Sequence, residues 1–223
     1  MMKKAIILLM AFLVVSSGKA QSKFKPELAV GASFGTNFSS VSFSPKVKQD
    51  MLMGFNAGAT LRWNTEANLG LQAELNFSQQ GWQEKYESQP QYEYKRTINY
   101  LELPFLTHIY FGSKRMKFFI NLGPQIGYAL GETTSSNLDD NTQGEENSDT
   151  FQHDKPIDKK FEWGLCGGPG LELRTGIGYF LLEGRYFYSL GDIYNSRKED
   201  HFSRSASQTI SVRLSYLLPL HKK

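Results

Sequence analysis

The run Phe118-Phe119-Ile120-Asn121-Leu122-Gly123-Pro124-Gln125-Ile126-Gly127-Tyr128-Ala129-Leu130 places Phe118, Ile120, Leu122, Pro124, Ile126, Tyr128 and Leu130 on one parity and Asn121, Gly123, Gln125 and Gly127 on the other. A period of two sustained this long belongs to a β-strand with one apolar and one polar face, not to a helix.

Seven further stretches repeat it, at about 28–38, 51–63, 69–78, 100–111, 161–174, 180–190 and 210–218. The stretch at 100–111, for example, sets Leu101, Leu103, Phe105, Ile109 and Phe111 against Tyr100, Glu102, Leu106, His108 and Tyr110. The connections alternate in length. Long ones fall near 40–50, 82–97, 132–160 and 191–207, and short ones at Asn64–Asn68, Gly112–Met116 and Thr175–Gly178. Roughly eleven residues at ~3.3 Å each, tilted by about 40°, cross ~25 Å, the height of an outer-membrane apolar band. The expected fold is all-β: an eight-stranded antiparallel up-and-down transmembrane β-barrel with short periplasmic turns and long external loops. An even strand number returns both termini to the periplasm.

A soluble eight-stranded barrel, apolar inside, would show the same alternation. Two features decide against it. The polar face carries Gly31, Gly35, Gly54, Gly58, Gly70, Gly123, Gly127, Gly164, Gly168 and Gly170, which weaken a water-facing strand but suit a crowded barrel interior. Aromatic residues of the apolar face gather at strand ends, with Trp63, Phe111, Phe118, Phe180 and Tyr216 at one edge and Phe38, Phe77, Tyr128, Trp163 and Tyr188 at the other. That is the girdle of two membrane interfaces.

The first residues explain the charge. Lys3 and Lys4 precede an apolar run, Ala5–Val15, followed by Ser16-Ser17-Gly18-Lys19-Ala20. This reads as a signal peptide, residues 1–20, cut after Ala20; the apolar run is too short to span a bilayer as a helix. The barrel domain is then 21–223. Removing Lys3, Lys4 and Lys19 takes the net charge from +3 to zero, so no basic patch points to nucleic acid. Cys166 is the only cysteine, which excludes an internal disulfide; a closed sheet supplies the rigidity an exported chain needs.

Four motifs carry a family resemblance: Tyr100-Leu101-Glu102-Leu103-Pro104, Gly123-Pro124, Gly168-Pro169-Gly170-Leu171-Glu172 and Glu183-Gly184-Arg185-Tyr186. In this order and spacing the chain resembles the PorT-like outer-membrane β-barrel proteins of the Bacteroidetes type, over the whole length after residue 20. The resemblance implies a barrel in the bacterial outer membrane. The namesake's link to protein secretion does not carry over, since most members have no assigned role. The chain departs from the pattern at its end, Leu220-His221-Lys222-Lys223, where Tyr216 is the last aromatic residue.

The charged residues of the polar face form the candidate site, an interior polar network: Arg62, Glu74, Glu102, His108, Glu162, Glu172, Arg174, Glu183, Arg185 and Arg213, with Lys117 near one end. Five acids meet five bases. Eight strands leave room only for side chains, so these charges are expected to pair and fill the lumen rather than line a channel. His108 lies inward on the strand that carries Glu102 and could serve as a general base, but no nucleophile motif completes a catalytic set. Cys166 reads as a small filler. Asp139, Asn141, Gln143 and Gly144 match the early positions of a calcium loop, but Thr150 stands where a bidentate Glu is required. No catalytic, metal or cofactor site is therefore expected.

The loops mix aromatic and charged residues: Trp82, Tyr86, Tyr92 and Tyr94 with Lys85, Lys95 and Arg96 in one, and Tyr194, Arg197, Lys198, His201, Phe202 and Arg204 in another. They read equally as a partner-binding surface or as strands extended beyond the membrane. The expectation is a non-enzymatic outer-membrane barrel acting through its external loops, in membrane stabilisation, adhesion or a secretion assembly. The alternative is a porin-like or ligand-transporting barrel, and behind it a membrane-embedded enzyme. Expected partners are outer-membrane lipid, lipopolysaccharide whose phosphates the loop cations would meet, and a protein at the external loops.

Overall fold

The computed structural model describes residues 24–86, 92–137, 152–153 and 155–220; the expected signal peptide and the calcium-like run at 139–150 lie outside them. Among the described residues the strands are β1 (Glu27–Ser44), β2 (Gln49–Asp50), β3 (Leu52–Glu66), β4 (Leu69–Glu84), β5 (Tyr94–Gly112), β6 (Met116–Ser136), β7 (Phe161–Arg174), β8 (Tyr179–Ser189) and β9 (Arg204–Pro219). All but the two-residue β2 form one antiparallel ring in chain order. It closes where β1 meets β9, from Ala29↔Pro219 to Ser44↔Arg204. Closure leaves no unpaired edge, which hydrocarbon would not tolerate.

Outward and inward parities fall as the alternation requires. On β6, Phe118, Ile120, Leu122, Ile126, Tyr128 and Leu130 are exposed to the surroundings of the barrel, and Asn121, Gln125 and Gly127 are buried within it. Glycine is demanded where strands coil tightly: a Cβ at Gly168 would stand 1.9 Å from the carbonyl oxygen of Gly184 on β8. At the short-turn end, Phe111 stacks on Phe118 at 5.9 Å and Phe180 meets Tyr216 in a tilted contact at 5.0 Å.

The strands differ from the expectation at the other end. β1, β4, β5, β6 and β9 run on to Ser44, Glu84, Tyr94, Ser136 and Arg204. The connection expected at 40–50 is thus largely strand, that at 82–97 is strand at both of its ends, and β2 adds a short rung against Gln83 and Glu84. The reason is a change of sign, not of period. Past the outer aromatic belt the outward residues become polar (Ser40, Ser42, Gln79, Gln83, Lys95, Thr97 and Asn99), while Val41, Phe43, Trp82, Tyr94, Ile98 and Tyr100 point inward and are buried. A bulge between β5 and β6 at Asn99/Tyr100 marks the level of the switch. In lipid the barrel is apolar outside; above it, in water, the same strands are apolar inside.

A charge on the lipid face tests this placement. Leu122, 60% exposed at mid-height of β6, is expected to cost about 2–4 kcal/mol on replacement by Arg. Denaturant-dependent folding into lipid vesicles measures it, and the outward Lys95→Leu change should leave that equilibrium nearly unaltered.

Candidate functional site

Two layers fill the space inside the ring, an ion-paired lumen and an aromatic cap. In the lumen, Glu74 is the hub. Arg185 donates to it from both terminal nitrogens, at 2.8 and 2.9 Å, and Arg213 donates to it at 2.8 Å. Arg185 also meets Glu183 at 3.0 Å. Towards the periplasmic end, Arg62 meets Glu172 at 2.6 Å and donates to Gln72 at 2.7 Å. Arg174 joins Glu172 to Glu27, 3.0 Å away. These charges are buried but for the partly exposed Arg174 and Glu27, and four acids balance four arginines. Pairing of this completeness is what lets charges sit in a closed barrel.

The sequence-predicted residues are not all in that network. Glu27, which pattern reading left out because it precedes the first apolar residue, supplies one of the acids. Lys117 has its ammonium 4.0 Å from the Tyr110 ring centroid instead of an interior carboxylate. His108 is not beside Glu102: six residues of extended strand, ~20 Å, separate them. Its Nδ1 lies 2.8 Å from Asn121 Oδ1. Because the Asn121 amide donates to Glu183 at 3.0 Å, its oxygen accepts and His108 carries the Nδ1 proton. The ring is fully buried between Tyr110 and Phe119, a packed position without a nucleophile bonded to it. Cys166 is buried against Leu106 and Phe187, as a filler would be. Glu102 and Glu162 are buried above the arginines, and neither has an ion-pair partner among the described residues.

The cap decides between the two readings of the loops in favour of extended strands, because Trp82, Tyr94, Tyr194 and Phe202 are buried. Trp82, Tyr94, Tyr194 and Phe202 form one core with Val41, Phe43, Val47 and Ile193. Phe43 meets Trp82 edge-on at 5.3 Å and Phe202 at 4.9 Å. Arg96 locks the chain over this core: it donates to the carbonyls of Lys155 and His153 and, at 3.1 Å, to the Tyr194 hydroxyl, and it pairs with Glu132 at 3.3 Å. His153 stacks on Tyr94 at 4.1 Å and meets Glu84 at 2.9 Å, while Gln152 donates to the other Glu84 oxygen at 2.8 Å. Asp158 accepts from Lys155 and from the Asn195 backbone, both at 2.9 Å. Burial opposes its charged form, yet those donors hold its carboxyl below the usual range. Burial also pushes the Tyr194 hydroxyl upward, so it stays protonated. The signal that could have located the cap is the continued alternation with swapped polarity.

Comparison with known proteins follows the same lines. Residues 19–195 match the family described as outer membrane protein beta-barrel domain. Among solved structures, the chain is similar to the outer membrane protein OprG from Pseudomonas aeruginosa, with 15% identity and a TM-score of 0.46 over 86% of this chain and 95% of that one. It is similar to Ail, the attachment invasion locus protein of Yersinia pestis, with 14% identity and a TM-score of 0.42 over 86% and 99%. Neisserial surface protein A gives 13% identity and 0.44 over 86% and 99%. No curated protein matches the chain.

Two substitutions test the two layers. Glu74→Ala leaves Arg185 and Arg213 buried without their counter-charge and is expected to destabilise the barrel by roughly 3–5 kcal/mol, read from equilibrium unfolding in detergent. Arg96→Ala is expected to leave the barrel folded, with its gel migration still altered by heating, while protease cleavage in the 137–160 segment becomes several-fold faster.

Proposed function

Because the chain belongs to the family of outer membrane protein beta-barrel domains, we propose that it is a non-enzymatic, non-conducting outer-membrane barrel that works through the cap on its external face, as a membrane-stabilising, adhesive or assembly element. The observation that carries the reading is the solid interior. The paired carboxylates and arginines around Glu74 block the lumen, and the aromatic core of Trp82, Phe43, Tyr194 and Phe202 stands over it. A porin-like role would need a path past both.

Recognition then falls to the polar exterior of the cap. Lys159, Lys160, Arg197 and Lys198 are exposed there, and cations at this level suit lipopolysaccharide phosphates or an acidic protein surface. On this reading a signal peptide cut after Ala20 delivers the chain for export, and the motifs at Tyr100–Pro104 and Gly168–Glu172 support a place in the PorT-like branch. The secretion role of that branch's namesake is not part of the proposal.

Planar-bilayer recording of the refolded protein is the direct test. The expected trace has no unitary steps, and a steady size-selective conductance would refute the filled-lumen reading. In cells, Arg197→Glu with Lys198→Glu should leave the protein in the outer membrane yet lower surface adhesion or partner crosslinking. Unchanged behaviour would assign the role to the barrel wall instead.

A further inference from the structure

The outer wall of the barrel carries a groove of about 610 Å³ across β7, β8, β9 and β1. Register explains its course. Leu171, Leu182, Leu214 and Phe34 stand level with one another across these four strands. Two residues nearer the short turns, Leu173, Phe180, Tyr216 and Ala32 form a second level row, which Met116 of β6 extends beyond Leu173. Outward side chains of one strand recur every ~6.6 Å. Between the two rows the floor is strand backbone, at the inward-facing Glu172, Leu181, Ser215 and Ser33. The walls are apolar. Glu172, the acid on the floor, turns its carboxylate inward to Arg62 and Arg174.

The two ends of the groove are unlike. A level row runs across the strands, so a strand tilt of about 40° sets it oblique to the membrane and lifts its far end by roughly 12 Å between β6 and β1. At the near end Met116 is the first residue of β6, beside the stacked Phe111 and Phe118 of the aromatic girdle. The turn before it is tight: the Ser113 amide donates to the Met116 carbonyl at 2.8 Å, and the Met116 amide donates to Ser113 Oγ at 3.0 Å. This holds Lys114 and Arg115 at the tip, both exposed. The Arg115 carbonyl accepts from the Arg174 amide at 2.8 Å, which ties the tip to β7, a wall of the groove. The far end, at Ala32 and Phe34, lies within the apolar band, where Phe34 stacks on Phe55 at 6.4 Å. A second outer groove, of about 390 Å³, crosses β3, β4 and β5 beside Trp63 and Ala73. The turn nearest it, between β3 and β4, presents the exposed acid Glu66 instead of cations.

We propose that this groove seats an acyl chain of one anionic glycerophospholipid from the leaflet at the short-turn side, with Lys114 and Arg115 holding its phosphate. A site with two cations at its membrane-surface end and an apolar trough leading inward from them fits an amphiphile of that polarity. The length agrees: four inter-strand steps of ~4.8 Å make ~19 Å, against ~15 Å for the chains of one leaflet, half of a ~30 Å hydrocarbon core. Lipid tails are as apolar as leucine, so burial alone selects nothing in a membrane. Selection comes from two other sources. A tail in the groove meets side chains on both flanks, where a tail on a smooth wall meets protein on one side only. Lysine and arginine at a membrane surface attract anionic headgroups, and arginine donates two parallel hydrogen bonds to a phosphate. The groove at Ala73 has the first feature without the second. A lipid held at the larger groove would brace β7, β8, β9 and β1, including the seam between β9 and β1 that closes the ring.

Native mass spectrometry of the full-length protein, refolded in detergent and titrated with phosphatidylglycerol or with phosphatidylcholine of the same chains, tests the site. The expected result is one phosphatidylglycerol retained per chain, at least ~10-fold more tightly than phosphatidylcholine. Lys114→Glu with Arg115→Glu, confined to an exposed turn, is expected to remove that preference and weaken phosphatidylglycerol binding at least ~10-fold. Ala32→Trp, which fills the far end of the groove, should weaken it comparably, whereas Ala73→Trp in the second groove should leave it unchanged. Heat-dependent gel migration checks that each variant is folded, and Leu182→Trp replaces Ala32→Trp if the latter is not. The proposal is overturned if the native protein retains several lipids without headgroup preference, or if the charge-reversed or groove-filled variant binds as the native protein does. It is equally overturned if Ala73→Trp abolishes binding, or if the native protein is a dimer that Ala32→Trp dissociates, which would assign the groove to a second copy of the chain.

Discussion

Hydrocarbon offers no hydrogen bonds to a backbone, and the rest of this structure depends on that constraint. A sheet crossing the bilayer must close, and here it closes by pairing β1 with β9 along nearly their whole lengths. Closure with eight strands fixes the bore, and the bore is too narrow for anything but side chains. Side chains that turn inward because lipid excludes them must then satisfy one another. The Glu74 hub, touched by two arginines and linked through Arg185 to Glu183, is the outcome. Ion pairs that would be marginal on a water-facing surface become obligatory here, because neither partner has solvent to fall back on.

The same chain meets a second solvent a few residues further on, and its strands reverse their polarity there without losing register. Tyr100 is the hinge of this reversal. Below it β5 faces lipid with Leu101, Leu103 and Phe105; above it β5 faces water with Asn99, Thr97 and Lys95 and turns Ile98 and Tyr94 inward. The cap is therefore a small water-soluble core built on top of a membrane barrel, held by the aromatic packing that stabilises any globular protein. Arg96 reaches out of this core to tie down the chain at His153 and Lys155.

This reversal also explains what could be read from the sequence and what could not. The eight membrane-crossing stretches were legible because lipid enforces one parity over about 25 Å, and the glycines on the other parity assigned the inside. The extensions were legible only as one of two equal readings, because an alternation of Ser40, Ser42 and Lys95 against Val41, Phe43 and Tyr94 has the composition of a loop as well as of a strand standing in water. Trp82 and Phe202 were visible as aromatics but not as buried ones, since burial depends on four separate connections meeting. The balanced charge count was legible too, yet it concealed a mismatch: Lys117 sits at the rim over Tyr110 and Glu27 takes its place inside. Glu102 and Glu162, near the cap, make no ion pair among the described residues.

The stacking of these two cores sets where activity can reside. Among the described residues the lumen is filled by paired side chains, and His108 is locked between Tyr110 and Phe119 with its proton directed at Asn121. The aromatic residues that would ordinarily anchor a partner, Trp82, Tyr94 and Tyr194, are consumed by the cap's own core, so they shape its surface without appearing on it. What remains for recognition is polar and charged, on strand extensions and turns whose positions the buried aromatics fix. A surface of that kind gains specificity from fixed geometry and charge complementarity more than from apolar area.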